Sequence, residues 1–83
     1  KPLSLEVIFE PMAGFHLTET PISKDQILKQ LEDGRYLLKV KLPDTSQLRW
    51  WLLGFGGQIE IIRPISLRKE FKETSNKMTE LYK

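Results

Sequence analysis

The sequence predicts one α+β domain, a four-stranded antiparallel sheet with helices. Three observations predict it. Short apolar segments, Leu3 to Phe9, Gln26 to Leu31, Tyr36 to Leu42 and Gln58 to Arg63, read as strands. Asp33-Gly34 stands between the second and third of them, a pair that tolerates positive φ in a tight turn. Leu48, Trp51, Leu52 and Phe55 recur at i, i+3, i+4 and i+7, the spacing of one buried helix face. At 83 residues the chain holds a single domain over 1–83, which buries roughly 60–65% of its unfolded surface in one modest core.

In the first strand Leu3, Leu5, Val7 and Phe9 alternate with Ser4, Glu6, Ile8 and Glu10. Pro11 stops it, because proline donates nothing to a ladder. Pro11 also suits the first position of a short helix containing Met12, Ala13, Phe15 and His16. Gly14 weakens that helix by about 1 kcal/mol relative to alanine, so at most two turns are expected before the loop of Thr18, Thr20, Pro21 and Ser23. The runs at Gln26–Leu31 and Tyr36–Leu42 then form a hairpin around Asp33-Gly34. Asp44 is a candidate N-cap, with Gln47 three residues on as in a capping box. The helix over Leu48 to Phe55 ends in Gly54, Gly56 and Gly57, and Gly56 is the candidate for a left-handed turn. A strand over Gln58 to Arg63 closes at Pro64. Ser66 is a candidate cap for a last helix whose apolar stripe is Leu67, Phe71, Met78 and Leu81 or Tyr82.

Strand, helix, strand, strand, helix, strand is the split βαβ, ferredoxin-like order, here with an added C-terminal helix. It makes the first and third strands antiparallel neighbours. Glu6 and Glu10 are then expected opposite Lys39 and Lys41, pairs worth roughly 0.2–1 kcal/mol each.

Composition removes several kinds of chemistry. Cysteine is absent and histidine occurs once, at His16, which excludes thiol catalysis, cysteine-ligated metals and disulfides and leaves a histidine relay without partners. Asp33, Asp44 and the glutamates show no paired spacing for acid–base work. Gly54-Phe55-Gly56-Gly57 follows a helix and lacks the lysine and hydroxyl of a phosphate loop. No enzyme, cofactor or metal site is therefore expected. Net charge is +2, too small to imply nucleic-acid binding. The open sheet face offers no aromatic platform for bases, since Phe9 and Tyr36 fall in register with core residues. The longest apolar run, Trp50 to Leu53, is far short of the ~20 residues of a membrane span. No charged-then-apolar leader is visible, and an opening Lys1-Pro2 reads as a processed chain or, preferably, a piece of a longer one.

Trp51 belongs to the apolar stripe. Trp50 lies about 100° around the helix and, beside Leu53, forms a candidate contact patch for another domain or subunit. Three arginines are candidate anion contacts, because guanidinium forks suit phosphate oxygens. Arg68 in the first turn of the last helix either meets an anion or pairs with a carboxylate. Arg49 reads as solvated, and Arg63 as a charge that guards an edge strand.

The run Leu48-Arg49-Trp50-Trp51-Leu52-Leu53-Gly54-Phe55-Gly56, then Ile59-Glu60-Ile61-Ile62-Arg63-Pro64, then Leu67-Arg68 and Tyr82, resembles the WCX domain. That is the C-terminal extension of bacterial WYL-domain, DeoR-like transcriptional regulators, which carry an N-terminal winged helix-turn-helix and a WYL domain ahead of it. The resemblance covers nearly the whole chain and departs from the family over Met12 to Lys24, where the first helix reads as shortened. It implies a cytoplasmic regulator's C-terminal module, contributing to homodimer contacts. It also implies a single-stranded nucleic acid, nucleotide or other anionic effector bound together with the WYL domain of the same chain, with Arg49, Arg63 and Arg68 as candidate contacts. Trp50 and Leu53 are the candidate interface residues. Duplex DNA reading is expected to belong to the helix-turn-helix, not to this segment. The alternative is a stand-alone protein-interaction or small-molecule-binding domain, which a start codon near Lys1 would favour.

Overall fold

A computed structural model describes residues 2–83. It is an α+β fold in which a four-stranded antiparallel sheet carries three helices. The elements run β1 (Pro2–Phe9), α1 (Pro11–Glu19), β2 (Ile27–Gln30), β3 (Tyr36–Pro43), α2 (Ser46–Leu53), a 3-10 turn (Gly56–Gln58), β4 (Ile59–Arg63) and α3 (Ile65–Leu81). The sheet order is β2-β3-β1-β4. Among the described residues no helix is long and apolar enough to cross a membrane.

Period-two alternation decides the two faces. Leu5, Val7 and Phe9 of β1, Leu38 and Val40 of β3, and Ile61 of β4 are buried on one side. The helices supply Ala13, Leu17, Leu48, Leu52 and Leu67 to the same core. Burying side chains such as Phe9, Leu52 and Leu67 contributes roughly 1.5–3 kcal/mol each. Phe9, Trp51 and Phe55 form an edge-on aromatic cluster, with Phe55 centred 5.1 Å from each of the other two. Phe55 reaches this cluster from beyond the end of α2, not as part of the helix.

The register pairs Glu6 with Lys39, as expected. Lys41, however, faces Ser4, and Glu10 lies past the end of β1. Glu10 donates its N–H to the Gln58 carbonyl at 2.8 Å, so it continues the β1–β4 ladder instead of meeting β3.

Several local expectations are corrected. Helix α1 runs nine residues and takes in Thr18. Ala13 and Leu17, one turn apart, are both buried, and that burial outweighs the cost of Gly14. The Thr18 hydroxyl donates to the Phe15 carbonyl at 2.6 Å, so its polar group is satisfied within the last turn. Strand β2 starts at Ile27 because the Gln26 side chain braces the preceding loop. It accepts from the Ile22 N–H at 2.9 Å and donates to the Leu17 carbonyl at 3.5 Å. Thr45, not Asp44, caps α2, its hydroxyl accepting from the Leu48 N–H at 3.1 Å. Pro64, not Ser66, precedes α3, and its carbonyl accepts from the N–H groups of Leu67 and Arg68. Proline's restricted φ already suits that position, so the helix has begun before Ser66 is reached.

Candidate functional site

The functional candidates lie around α3 and its two neighbours, β4 and α2. Helix α3 is held to the body by Leu67, which is buried, and by Phe71, which is half-buried against the core. Two arginines add polar ties. Arg68 Nη1 donates to Glu60 Oε2 at 2.9 Å and to the Ile61 carbonyl at 2.8 Å. Strand β4 is an edge of the sheet, so this contact also occupies a backbone acceptor that would otherwise invite another strand.

Arg49 is placed differently from the sequence reading. It is not simply solvated. Its guanidinium donates from Nε to Glu70 Oε2 at 2.7 Å, from Nη2 to Glu70 Oε1 at 3.3 Å, and from Nη1 to Asp44. Helix α2 is thereby tied to α3 across 21 positions of sequence. The Glu70 hydrogen bonds first, and the Asp44 bond second, hold Arg49 in its charged form more firmly than usual. Two carboxylates around one guanidinium leave a local surplus of negative charge, which repels an anion.

Among the described residues Arg63, at the end of β4, makes one ion pair, Nε to Glu6 Oε2 at 3.9 Å, longer than a hydrogen bond. Its side chain is 63% exposed. Of the three candidate arginines it is the one with most donor capacity to spare. Arg68 is about half exposed and lines a groove of about 350 Å³ with Gly56, Gly57, Ile59, Phe71 and Lys72. Trp50 and Leu53 are exposed on α2, as their helical positions predict. Leu53 lines a second groove, about 310 Å³, with Gly56, Gly57, Phe71 and Met78. These grooves share a floor at the two glycines and Phe71. Gly56 has φ +59°, the left-handed turn anticipated for it.

A family model for the WCX domain matches residues 1–79. The chain belongs to the WCX domain family. Among curated proteins none matches the sequence. In this WCX domain most of the residues quoted for the resemblance fall in α2, β4 and the start of α3, and the three arginines have separate partners there, Arg49 on Glu70 of α3, Arg68 on Glu60 of β4 and Arg63 on Glu6 of β1. Sequence reasoning missed the carboxylates that engage those arginines, namely Glu70, Asp44 and Glu60. No spacing signal reveals Arg49–Glu70, because the pair meets only when α3 packs. The glycine-floored groove was equally hidden, since its walls come from separate elements.

Proposed function

We propose that this WCX domain is the C-terminal module of a WYL-type regulator, non-enzymatic in itself. It senses an anionic, nucleic-acid-like effector with the WYL domain of the same chain and helps to assemble the homodimer. The strand order β2-β3-β1-β4, antiparallel throughout, supports the finer reading of the fold as ferredoxin-like with an appended helix.

The observation that carries the effector role is the state of Arg63. It is largely exposed, with one long contact to Glu6, so it can turn a guanidinium fork to a phosphate without first abandoning a strong partner. Arg68 is the second contact. It exchanges the exposed Glu60 carboxylate for the ligand while keeping its bond to the Ile61 carbonyl. Arg49, enclosed by two acids, serves the scaffold by holding α3 against α2. The unpaired capacity of these residues is modest, which fits a site completed by another domain rather than one formed by this chain alone.

The test titrates the intact regulator with short single-stranded DNA across a salt series, comparing wild type with Arg63→Ala and Arg68→Ala. Each lost phosphate contact is expected to lower the slope of log affinity against log salt by about one unit. Wild-type affinity and slope in both variants would show that these arginines are structural. Specific, tight duplex binding by the 83-residue chain would contradict the assignment of DNA reading to the helix-turn-helix. Sequence upstream of Lys1 separates this reading from a stand-alone domain.

A further inference from the structure

The sheet has two edges, β2 and β4. At β4 the Ile61 carbonyl is taken by Arg68 Nη1. Two contacts at the ends of β2 fix the phase of its hydrogen bonding. The Leu31 N–H donates to the Arg35 carbonyl at 2.7 Å, toward β3, and the Gln26 N–H donates to the Ser23 carbonyl at 3.3 Å, away from it. In an antiparallel ladder the N–H and C=O of one residue point the same way, and successive residues alternate. Ile27 and Lys29 therefore bond to β3, opposite Lys39 and Leu37, while the main-chain groups of Leu28 and Gln30 face outward. Among the described residues no turn, loop or side-chain hydrogen bond engages those four groups.

Side chains sort by the same alternation. Leu28, opposite buried Leu38, lies on the helix side and is half-buried against the core. Ile27 and Lys29 lie on the open face, where Ile27 is 63% exposed. Lys29, Lys39, Lys41 and Arg63 share that face with Glu6 and Glu60. Glu60 is held by Arg68, and Glu6 reaches toward Arg63. Asp25 lines a groove with Lys39 and Lys41. Lys29 stands at the rim, and among the described residues it makes no ion pair.

We propose that β2 takes an extended acidic segment of another protein as an added strand, with a carboxylate opposite Lys29 and apolar side chains opposite Leu28 and Ile27. Main-chain chemistry selects a peptide. The edge offers donors and acceptors together, which a peptide backbone satisfies and a phosphate backbone, an acceptor alone, does not. Charge selects the sign. Lysine on an edge strand discourages pairing with another basic edge and favours a carboxylate directly across from it. The surface is separate from the effector reading, whose arginines belong to α2, β4 and α3.

The probe is an end-blocked peptide, valine-glutamate-valine between two threonines, which presents the same side chains in parallel and antiparallel pairing. Backbone NMR follows its titration into the chain. Saturable shifts centred on Ile27–Gln30 are expected, with a Kd on the order of 0.1–1 mM and slowed exchange of the Leu28 and Gln30 N–H groups. Replacing the glutamate with lysine, or N-methylating both valines, is expected to raise Kd about 10-fold or more. Gln30→Pro removes an outward donor without touching the ladder to β3 and should weaken binding about 5-fold; the N-methylated peptide makes the same test with the fold unaltered. Lys29→Glu should reverse the preference, so that the lysine-centred peptide binds about 10-fold tighter than the glutamate one. Absence of binding by the wild-type chain overturns the proposal, as do shifts centred on another element or an affinity indifferent to N-methylation. A glutamate preference that survives Lys29→Glu overturns the part given to Lys29. A single-stranded oligothymidylate that displaces the peptide from the same amides makes this face a phosphate site and overturns the peptide assignment.

Discussion

Replacing Gly14 with alanine tests how closely α1 is packed onto the sheet. Two effects of opposite sign compete. In the interior of a helix, alanine is favoured over glycine by about 1 kcal/mol. Gly14 is buried in α1, however, and a Cβ built there would lie 2.5 Å from Tyr36 Cδ1 and 2.8 Å from both Tyr36 Cβ and Cγ. The clash with Cβ cannot be relieved by turning the ring, because that atom moves only with the backbone of β3. Overpacking of this kind costs roughly 1–3 kcal/mol, and the immovable Cβ places it toward the upper end. The net expectation is a destabilisation of about 1–2 kcal/mol, or a Tm lowered by roughly 5–15 °C for a domain of this size. Urea unfolding followed by circular dichroism measures it directly. Truncating the neighbour, in Gly14→Ala with Tyr36→Ala, should reduce the penalty but not abolish it, since residue 36 keeps its Cβ. If Gly14→Ala alone raises Tm, helix propensity has won and the close approach to β3 is not a constraint.

Three further outcomes are expected. Gly56→Ala should cost about 1–2 kcal/mol through its left-handed φ alone, while Gly57→Ala should be close to neutral; equal effects in thermal melts would remove the conformational distinction. Thr45→Ala should lose about 1 kcal/mol through the α2 cap, with no dependence on salt, whereas Arg49→Met should cost a similar amount that shrinks in high salt; matching salt profiles in urea melts would contradict the assignment. Asp33 should titrate below the ordinary aspartate value in an NMR pH series, chiefly because its carboxylate accepts from the Arg35 backbone N–H and then from the Arg35 side chain. A depressed folded value means that its contribution to stability is present above the unfolded value and lost as pH falls through the folded one; Arg35→Ala should retain the backbone part of the depression.

Much of the fold is legible in the residues. Alternation along Leu3–Phe9 and Tyr36–Leu42 is enough to place Leu5, Val7, Phe9, Leu38 and Val40 in the core, because a strand's side chains change face at every residue. Asp33-Gly34 marks its hairpin and Gly56 its left-handed turn, since dihedral preferences act within a single residue. Trp50 and Leu53 come out exposed for the same local reason, the 100° step of a helix. Adjacent candidates are where local reading fails. Asp44 and Thr45 are both good caps, and the choice falls to Thr45 in a fold where Asp44 is engaged by Arg49, itself held by Glu70 of α3. Gly14 reads as a weak point in a helix; its role as the contact with Tyr36 exists only when α1 lies on β3.

The candidate site divides in the same way. Residue type and the helical or strand period determined which arginines and which apolar side chains were available. Tertiary structure decided that Arg49 is enclosed by two acids while Arg63 is nearly free, and that the stripe of α3 is covered at Leu67 and bare at Met78, Leu81 and Tyr82. Periodicity is a property of a few neighbouring residues, so it predicts that a helix has an apolar face. Whether that face is covered depends on how far β4 and the Gly56–Gly57 turn extend beneath it. That distance is set by packing among elements far apart in the chain, and no local stretch of sequence contains it.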